Sequence, residues 1–168
     1  MSAMTIRPAR SDDVPQVLPM VQRLADLHES WDPQRFAYIA SVGQRYDGWL
    51  RGRVRDERSV FLVAERDADA TDPASRVVGF LVATTEPEIP VYRVREIGFI
   101  HDLFVDKRYR NEGIARQLVM MAVEAFKRIG VPQVRLETAT GNDAARAVFG
   151  SCGFRPSSVE MTLELEQV

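Results

Sequence analysis

The stretch Val105-Asp106-Lys107-Arg108-Tyr109-Arg110-Asn111-Glu112-Gly113-Ile114-Ala115-Arg116 decides how this chain is read. An apolar, β-branched run enters it, a basic turn follows, a glycine closes the turn, and a periodic apolar segment leaves it. That order is strand, turn, helix. Amides in the first turn of a helix have no partner and carry partial positive charge, so they bind phosphate. Gly113 lets backbone approach a ligand closely, and Lys107, Arg108, Arg110 and Arg116 add charge beside it. Two readings follow from these residues: a diphosphate site, or a solvated basic turn with a glycine at the helix start. The Gly-Lys-Ser/Thr phosphate loop and the three-glycine dinucleotide loop are both absent.

Downstream, a helix is predicted from Gly113 to Ile129, with Ile114, Leu118, Met121, Ala122, Ala125, Phe126 and Ile129 as its apolar stripe. Gly130 and Pro132 stop it. Gln133 to Thr138 reads as a strand, Asp143 to Cys152 as a short helix ended by Gly153, and Val159 to Leu165 alternates as a last strand. Upstream, Arg95 to Val105 reads as a strand. Ser59 to Glu65 and Arg76 to Thr85 read as an antiparallel hairpin across a polar turn from Arg66 to Ser75. Thr5 to Ala9 reads as a strand. Ser11-Asp12-Asp13 caps a helix whose apolar positions include Val14, Val17, Leu18, Val21, Leu24, Ala25 and Leu27, with Pro19 a candidate kink. Asp32-Pro33 starts a second helix running to about Arg53. The expectation is one α/β (mixed α+β) domain over residues 1–168, with a mixed sheet of about six to seven strands flanked by about four helices. Its strand–helix–strand unit from Arg95 to Thr138 is expected to be parallel.

Composition narrows the function. The chain has 168 residues, 45% hydrophobic and 27% charged, with net charge −2. That balance offers no bulk attraction to nucleic acid or anionic membrane, so an anionic ligand needs a local cluster. One cysteine excludes a disulfide framework within the chain, and with only two histidines it argues against a catalytic metal. No apolar run is long enough to cross a membrane, and the first ten residues lack a signal core. The expectation is a cytoplasmic protein.

Arg110-x-x-Gly113-x-Ala115 resembles the Arg/Gln-x-x-Gly-x-Gly/Ala signature of the GNAT superfamily of acyl-CoA-dependent N-acyltransferases. Asn142-x-x-Ala145-x-x-Val148-Phe149-x-x-x-Gly153-Phe154 is similar to that family's second signature, and Leu103-x-Val105 matches the strand before the loop. The resemblance covers about Ile97 to Phe154; the N-terminal half matches by element order alone. It implies acetyl-CoA as cosubstrate and transfer to a small-molecule or peptide amine by direct attack in a ternary complex; whether the chain forms a homodimer is left open. It implies that backbone of Leu103, Phe104 and Val105 pairs with the pantetheine arm, one of their N–H groups polarising the thioester carbonyl. Backbone of Asn111, Glu112, Gly113, Ile114, Ala115 and Arg116 would hold the pyrophosphate beside Arg110. Asn142 would touch pantetheine and Arg146 the nucleotide phosphate.

The resemblance departs at Phe149, where the signature usually carries a tyrosine that in many relatives protonates the departing thiolate; phenylalanine cannot, and some members lack the tyrosine. That departure supports the alternative, a non-catalytic acyl-CoA-binding regulatory module. His101 favours the enzyme. Two residues before Leu103 on an extended strand, it is expected to share that residue's face, with Asp102 opposite and structural. An imidazole suits proton relay near neutrality, and the bland reading is space-filling under the cofactor. Glu96 and Glu137 are weaker candidates for the base. Cys152 and His28 read as structural. For the acceptor side, Glu29, Trp31, Asp32, Phe36, Tyr38, Tyr46, Trp49, Glu86, Glu88 and Tyr92 either hold a cationic amine or pack the helices and face water.

Overall fold

The computed structural model describes residues 4–66 and 76–165. Five strands form one mixed sheet in chain order: β1 (Met4–Pro8), β2 (Val60–Arg66), β3 (Val77–Pro87), β4 (Glu96–Val105) and β5 (Val134–Leu136). β1 to β4 pair antiparallel, and β5 runs parallel to β4, as the helix between them requires. Helices α1 (Val14–Trp31) and α2 (Val42–Arg55) lie on one face; α3 (Ile114–Ile129) and α4 (Asp143–Ser151) lie on the other. Most of the expected hairpin turn falls outside the described residues.

Each face has its own core. Leu118, Val119, Ala122 and Phe126 of α3 pack with Leu62, Leu81 and Ile100 of the sheet and with Phe149 of α4. Gly98 makes this closeness possible, because a Cβ there would sit 2.8 Å from the Phe126 ring. The buried stripe is shifted from the expected one: Met121 is exposed, Ala125 and Ile129 are half-buried and Val119 is buried, because the sheet meets the helix slightly to one side of the predicted line. On the opposite face Val14, Val17 and Val21 of α1 and Leu50 of α2 cover Phe80, Val82 and Phe104. Helix α1 runs through Pro19, which sits in its second turn and removes only one internal hydrogen bond.

Three expectations are corrected. The second helix does not start at Asp32. Asp32 caps a single turn, accepting from the amides of Arg35 and Phe36, and that turn stops. Ser41 then takes a left-handed conformation, φ 60°, which no helix can pass through, and α2 begins at Val42. The segment Val159–Leu165 forms no strand. Val159, Met161, Leu163 and Leu165 are 80–91% exposed, and Glu160 is held by Arg35 at 3.1 Å. Alternation says which face a strand would bury, but it supplies no edge to pair with. Among the described residues the sheet therefore has five strands, fewer than expected.

The third correction sets up the site. In the β3–β4 pair, Val82 faces Asp102 but Ala83 faces Ile100, so His101 is an extra residue, a β-bulge. The bulge breaks strict alternation. Leu103 packs toward α3, while His101 and Asp102 both turn to the α1/α2 face.

Candidate active site

β4 pairs with β5 only from Gly98 to Ile100. From His101 to Val105, β4 continues beyond the end of β5, so its N–H and C=O groups on that side are free of β5. A strand edge opened this way can take another extended chain as an added strand. Just past β5, Thr138 Oγ1 is buried without a hydrogen-bond partner.

The open edge leads into the basic turn. Asp106 is buried and accepts from the Arg108 amide and from the guanidinium groups of Arg108 and Arg23. Burial alone would raise its pKa, but these bonds hold it well below the usual carboxylate range. Lys107–Tyr109 form one 3-10 turn. Asn111 (φ 66°) and Gly113 (φ 78°) are both left-handed, folding the chain so that α3 starts at Ile114. The amides of the first turn of α3 therefore open onto the loop. Asn111, Glu112 and Arg116 are exposed there, Ala115 is half-buried, and Ile114 anchors the turn in the core. Arg110 does something else. Its Nε donates to the Val105 carbonyl at 3.0 Å and its guanidinium lies 5.8 Å from the Phe104 ring, so it braces the loop against β4. The unpaired stretch of β4 thus runs directly into the loop that starts α3.

The second motif is one step removed. Asn142 Oδ1 accepts from the Ala145 amide at 3.1 Å, capping α4 and leaving its side-chain NH₂ for a ligand. Arg146 pairs with Asp143 on the outside of α4. Phe149 is buried in the core beside Phe154, ring centroids 5.6 Å apart.

His101 sits on the α1/α2 side in an aromatic notch, its ring centroid 5.3 Å from Trp49 and 5.1 Å from Phe99. Its Nε2 lies 2.7 Å from Thr84 Oγ1 and 3.2 Å from Glu86 Oε1, and the Thr84 hydroxyl donates to Glu86 at 3.2 Å. If the Thr84 proton is committed to Glu86, its oxygen accepts from Nε2–H, and Nδ1 becomes the basic nitrogen. Burial lowers the imidazole pKa; Glu86 opposes this and Arg53 adds to it. The ring is thus neutral and oriented at neutral pH. Glu96 is occupied by Arg58 at 2.7 Å, and Glu137 lies exposed beyond β5.

Asp102, expected on the far face, instead reaches a cavity of about 10 Å³ between α1, α2 and β4. Tyr46, Tyr38 and His28 supply its polar walls; Val21, Leu24 and Val42 supply the apolar ones. Burial pushes the Asp102 pKa up to about 6 against a hydrogen bond from Tyr46, and the second oxygen, Oδ2, is sealed without a partner. No signal in the sequence marks this residue, because the bulge that re-aims it depends on register with β3. Of the other acceptor-side aromatics, Trp31 and Phe36 lie against His28, ring centroids 5.4 and 5.0 Å away, and Tyr92 is exposed. Glu88 is taken by Arg135 at 2.7 Å.

No helix among the described residues is long and apolar enough to cross a membrane. The model of the acetyltransferase (GNAT) family matches residues 22–154. The uncharacterized N-acetyltransferase YycN of Bacillus subtilis is 29% identical over 89 residues, which are 53% of this chain and 54% of that protein. The match thus spans about half the length of that relative. Among solved structures, a tetramutant of the BH1408 protein from Bacillus halodurans superposes with a TM-score of 0.75 at 23% identity, over 96% of this chain and 99% of that one. A predicted acetyltransferase from Clostridium acetobutylicum, solved with acetyl-CoA, superposes with a TM-score of 0.74 at 16% identity, over 96% of each chain. At these identities the structural likeness speaks for the fold, while the sequence match covers both the open strand edge and the glycine turn. This chain belongs to the GNAT family of acetyltransferases.

Proposed function

We propose that the chain transfers the acetyl group of acetyl-CoA to the nitrogen of a small-molecule or peptide amine, by direct attack in a ternary complex. The observation carrying this reading is the free edge of β4 from His101 to Val105, running into the Gly113 turn at the start of α3. Leu103, Phe104 and Val105 offer that edge to the pantetheine arm, and one of their N–H groups polarises the carbonyl under attack. Backbone from Asn111 to Arg116 receives the pyrophosphate. Arg110 serves by fixing the turn to β4, and the Asn142 amide group and Arg146 stand at the far side. Acetyl-CoA supplies the activated acetyl thioester.

An amine attacks only as the free base, so its ammonium proton must leave first. His101 is our candidate to accept it at Nδ1, with Thr84 and Glu86 orienting the ring from the other nitrogen. Because Phe149 is buried and carries no hydroxyl, the departing thiolate takes its proton from water or from the attacking nitrogen.

Thiol release measured with acetyl-CoA and a panel of amines tests the reading. His101→Ala is expected to lower kcat by about 10²-fold or more with CoA affinity little changed. In the wild type, kcat/KM is expected to fall toward acid with its inflection below the ordinary imidazole value of about 6.5. CoA binding with no thiol release for any amine would favour the non-catalytic binding module.

A further inference from the structure

We infer that Arg23 of α1 is a positioning residue for the cofactor turn: through the buried carboxylate of Asp106 it holds the chain between β4 and α3 in the shape that meets a diphosphate. The hold on the turn rests on contacts within the chain; its use for acetyl-CoA rests on the acetyltransferase reading above.

Asp106 stands where β4 ends and the turn begins. Its backbone amide donates to the Val78 carbonyl of β3 at 2.8 Å, which fixes the corner to the sheet. Its carbonyl accepts from the Tyr109 amide at 2.9 Å. Oδ1 accepts from the Arg108 amide at 3.0 Å and from Arg108 Nε at 3.1 Å, so the carboxylate shapes the turn from inside. Oδ2 accepts from Arg23 Nη1 at 3.0 Å, across 83 residues of sequence. Burial opposes the charge on Asp106, but the bonds from Arg108 and Arg23 outweigh it and keep the group ionised.

A second contact runs beside the first. The Phe104 ring is buried in the core under α1, with the Arg23 guanidinium 5.4 Å from its centroid and that of Arg110 5.8 Å away. Arg110 in turn donates to the Val105 carbonyl. One residue of α1 thus grips the first residue of the turn and shares a ring with the arginine that braces it.

As a prop for the whole fold this ion pair would count for little, because the Arg23 side chain is 49% exposed and water competes for it. Locally it counts for more. The carboxylate it grips is 5% exposed, and charge-assisted bonds to such a group are strong. What that carboxylate grips is the 3-10 turn Lys107–Tyr109, just ahead of left-handed Asn111 and Gly113. The turn is therefore held from both faces of the sheet. Ile114 anchors its far end in the α3 core, and Arg23 ties its near end to the helix covering the other face.

Arg23→Met tests this, since it keeps an unbranched apolar stem and removes the charge at a half-exposed site. Amide hydrogen exchange on the ligand-free chain reads the turn; calorimetry with CoA and thiol release from acetyl-CoA read its use. The Arg108 and Tyr109 amides, both bonded to Asp106, should exchange at least about tenfold faster. The Ala122 amide in the middle of α3 should keep its wild-type rate. CoA should bind about tenfold more weakly, because a turn ordered for a fraction of the time binds in proportion to that fraction. The kcat at saturating acetyl-CoA should stay within about twofold. A general loss of stability would speed all three amides alike and overturn the inference. Unmoved exchange with weaker CoA binding would also overturn it, since the effect would then be the loss of one positive charge near a diphosphate. So would faster exchange with CoA affinity within about twofold, because the turn would be loosened without consequence for the ligand. A wild type that binds no CoA, or releases no thiol with any amine, would sink the acetyltransferase reading, and the exchange response would still establish the hold of Arg23 on the turn.

Discussion

The two faces of the sheet are built on different terms. On the α3 face, one helix lays an apolar stripe on the strands, and the only polar business is at its end, where Gly113 starts the helix. On the α1/α2 face, an apolar core of similar extent is crossed by a polar seam: Tyr46 beside Asp102, then His101, Thr84 and Glu86. The first face needs only local periodicity and a turn to be specified. The second needs a register, because a single extra residue in β4 decides which side chains enter the seam. In the function we propose, cofactor chemistry falls at the end of the first face and proton chemistry in the second.

If this division is right, the largest effect on stability comes from the α3 face. Phe126 is fully buried against Gly98, and Phe126→Ala should destabilise the fold by about 3–5 kcal/mol in denaturant unfolding. A loss under about 1 kcal/mol would mean that the face tolerates a large cavity and is not a rigid base for the loop.

Next comes the loop itself. Arg110→Glu with Gly113→Asp should weaken CoA binding at least about 10²-fold, roughly 2.7 kcal/mol. Two carboxylates would stand by the diphosphate, the brace from Arg110 to Val105 would be lost, and residue 113 would be strained at φ 78°. Equal affinity by calorimetry would remove the cofactor from this end of α3 and break the contrast between the faces.

The same contrast explains what could be read from the sequence. The strand–turn–helix from Arg95 to Ile129 was legible because each part signals locally: β-branched residues, a basic glycine turn, a stripe at helical spacing. The resemblance asks for free backbone from Leu103 to Val105, and β4 pairs with β5 only from Gly98 to Ile100. The start of α2 was not legible, because Asp32-Pro33 is a sound helix start whose failure is decided downstream at Ser41. The segment from Val159 to Leu165 has the pattern of a strand, and pairing is a property of a neighbour. Asp102 was placed on the wrong face because strict alternation is the only assumption a lone strand sequence permits. The bulge at His101 is written in the match between β3 and β4, so it appears only when both strands are in place.

The smallest effect is expected where sequence and family disagree. Phe149→Tyr restores the hydroxyl that relatives place by the leaving sulfur, and the two rings are nearly the same shape. The Phe149 ring is 7% exposed, however, and packs edge-on to Phe154 inside the α3-side core. A hydroxyl added there either points into that core or reaches the open edge of β4. In the first case it is a buried polar group without a partner, costing about 1–2 kcal/mol of stability, and kcat stays within about threefold. We expect this outcome, since the α3 face is apolar throughout and the polar work lies across the sheet. Denaturant unfolding and thiol-release kinetics on the same preparation would settle it. A kcat raised more than about tenfold with stability unchanged would show that the hydroxyl reaches the sulfur. The α3 face would then contribute to proton traffic as well as to cofactor binding, and the division between the faces would have to be redrawn at α4.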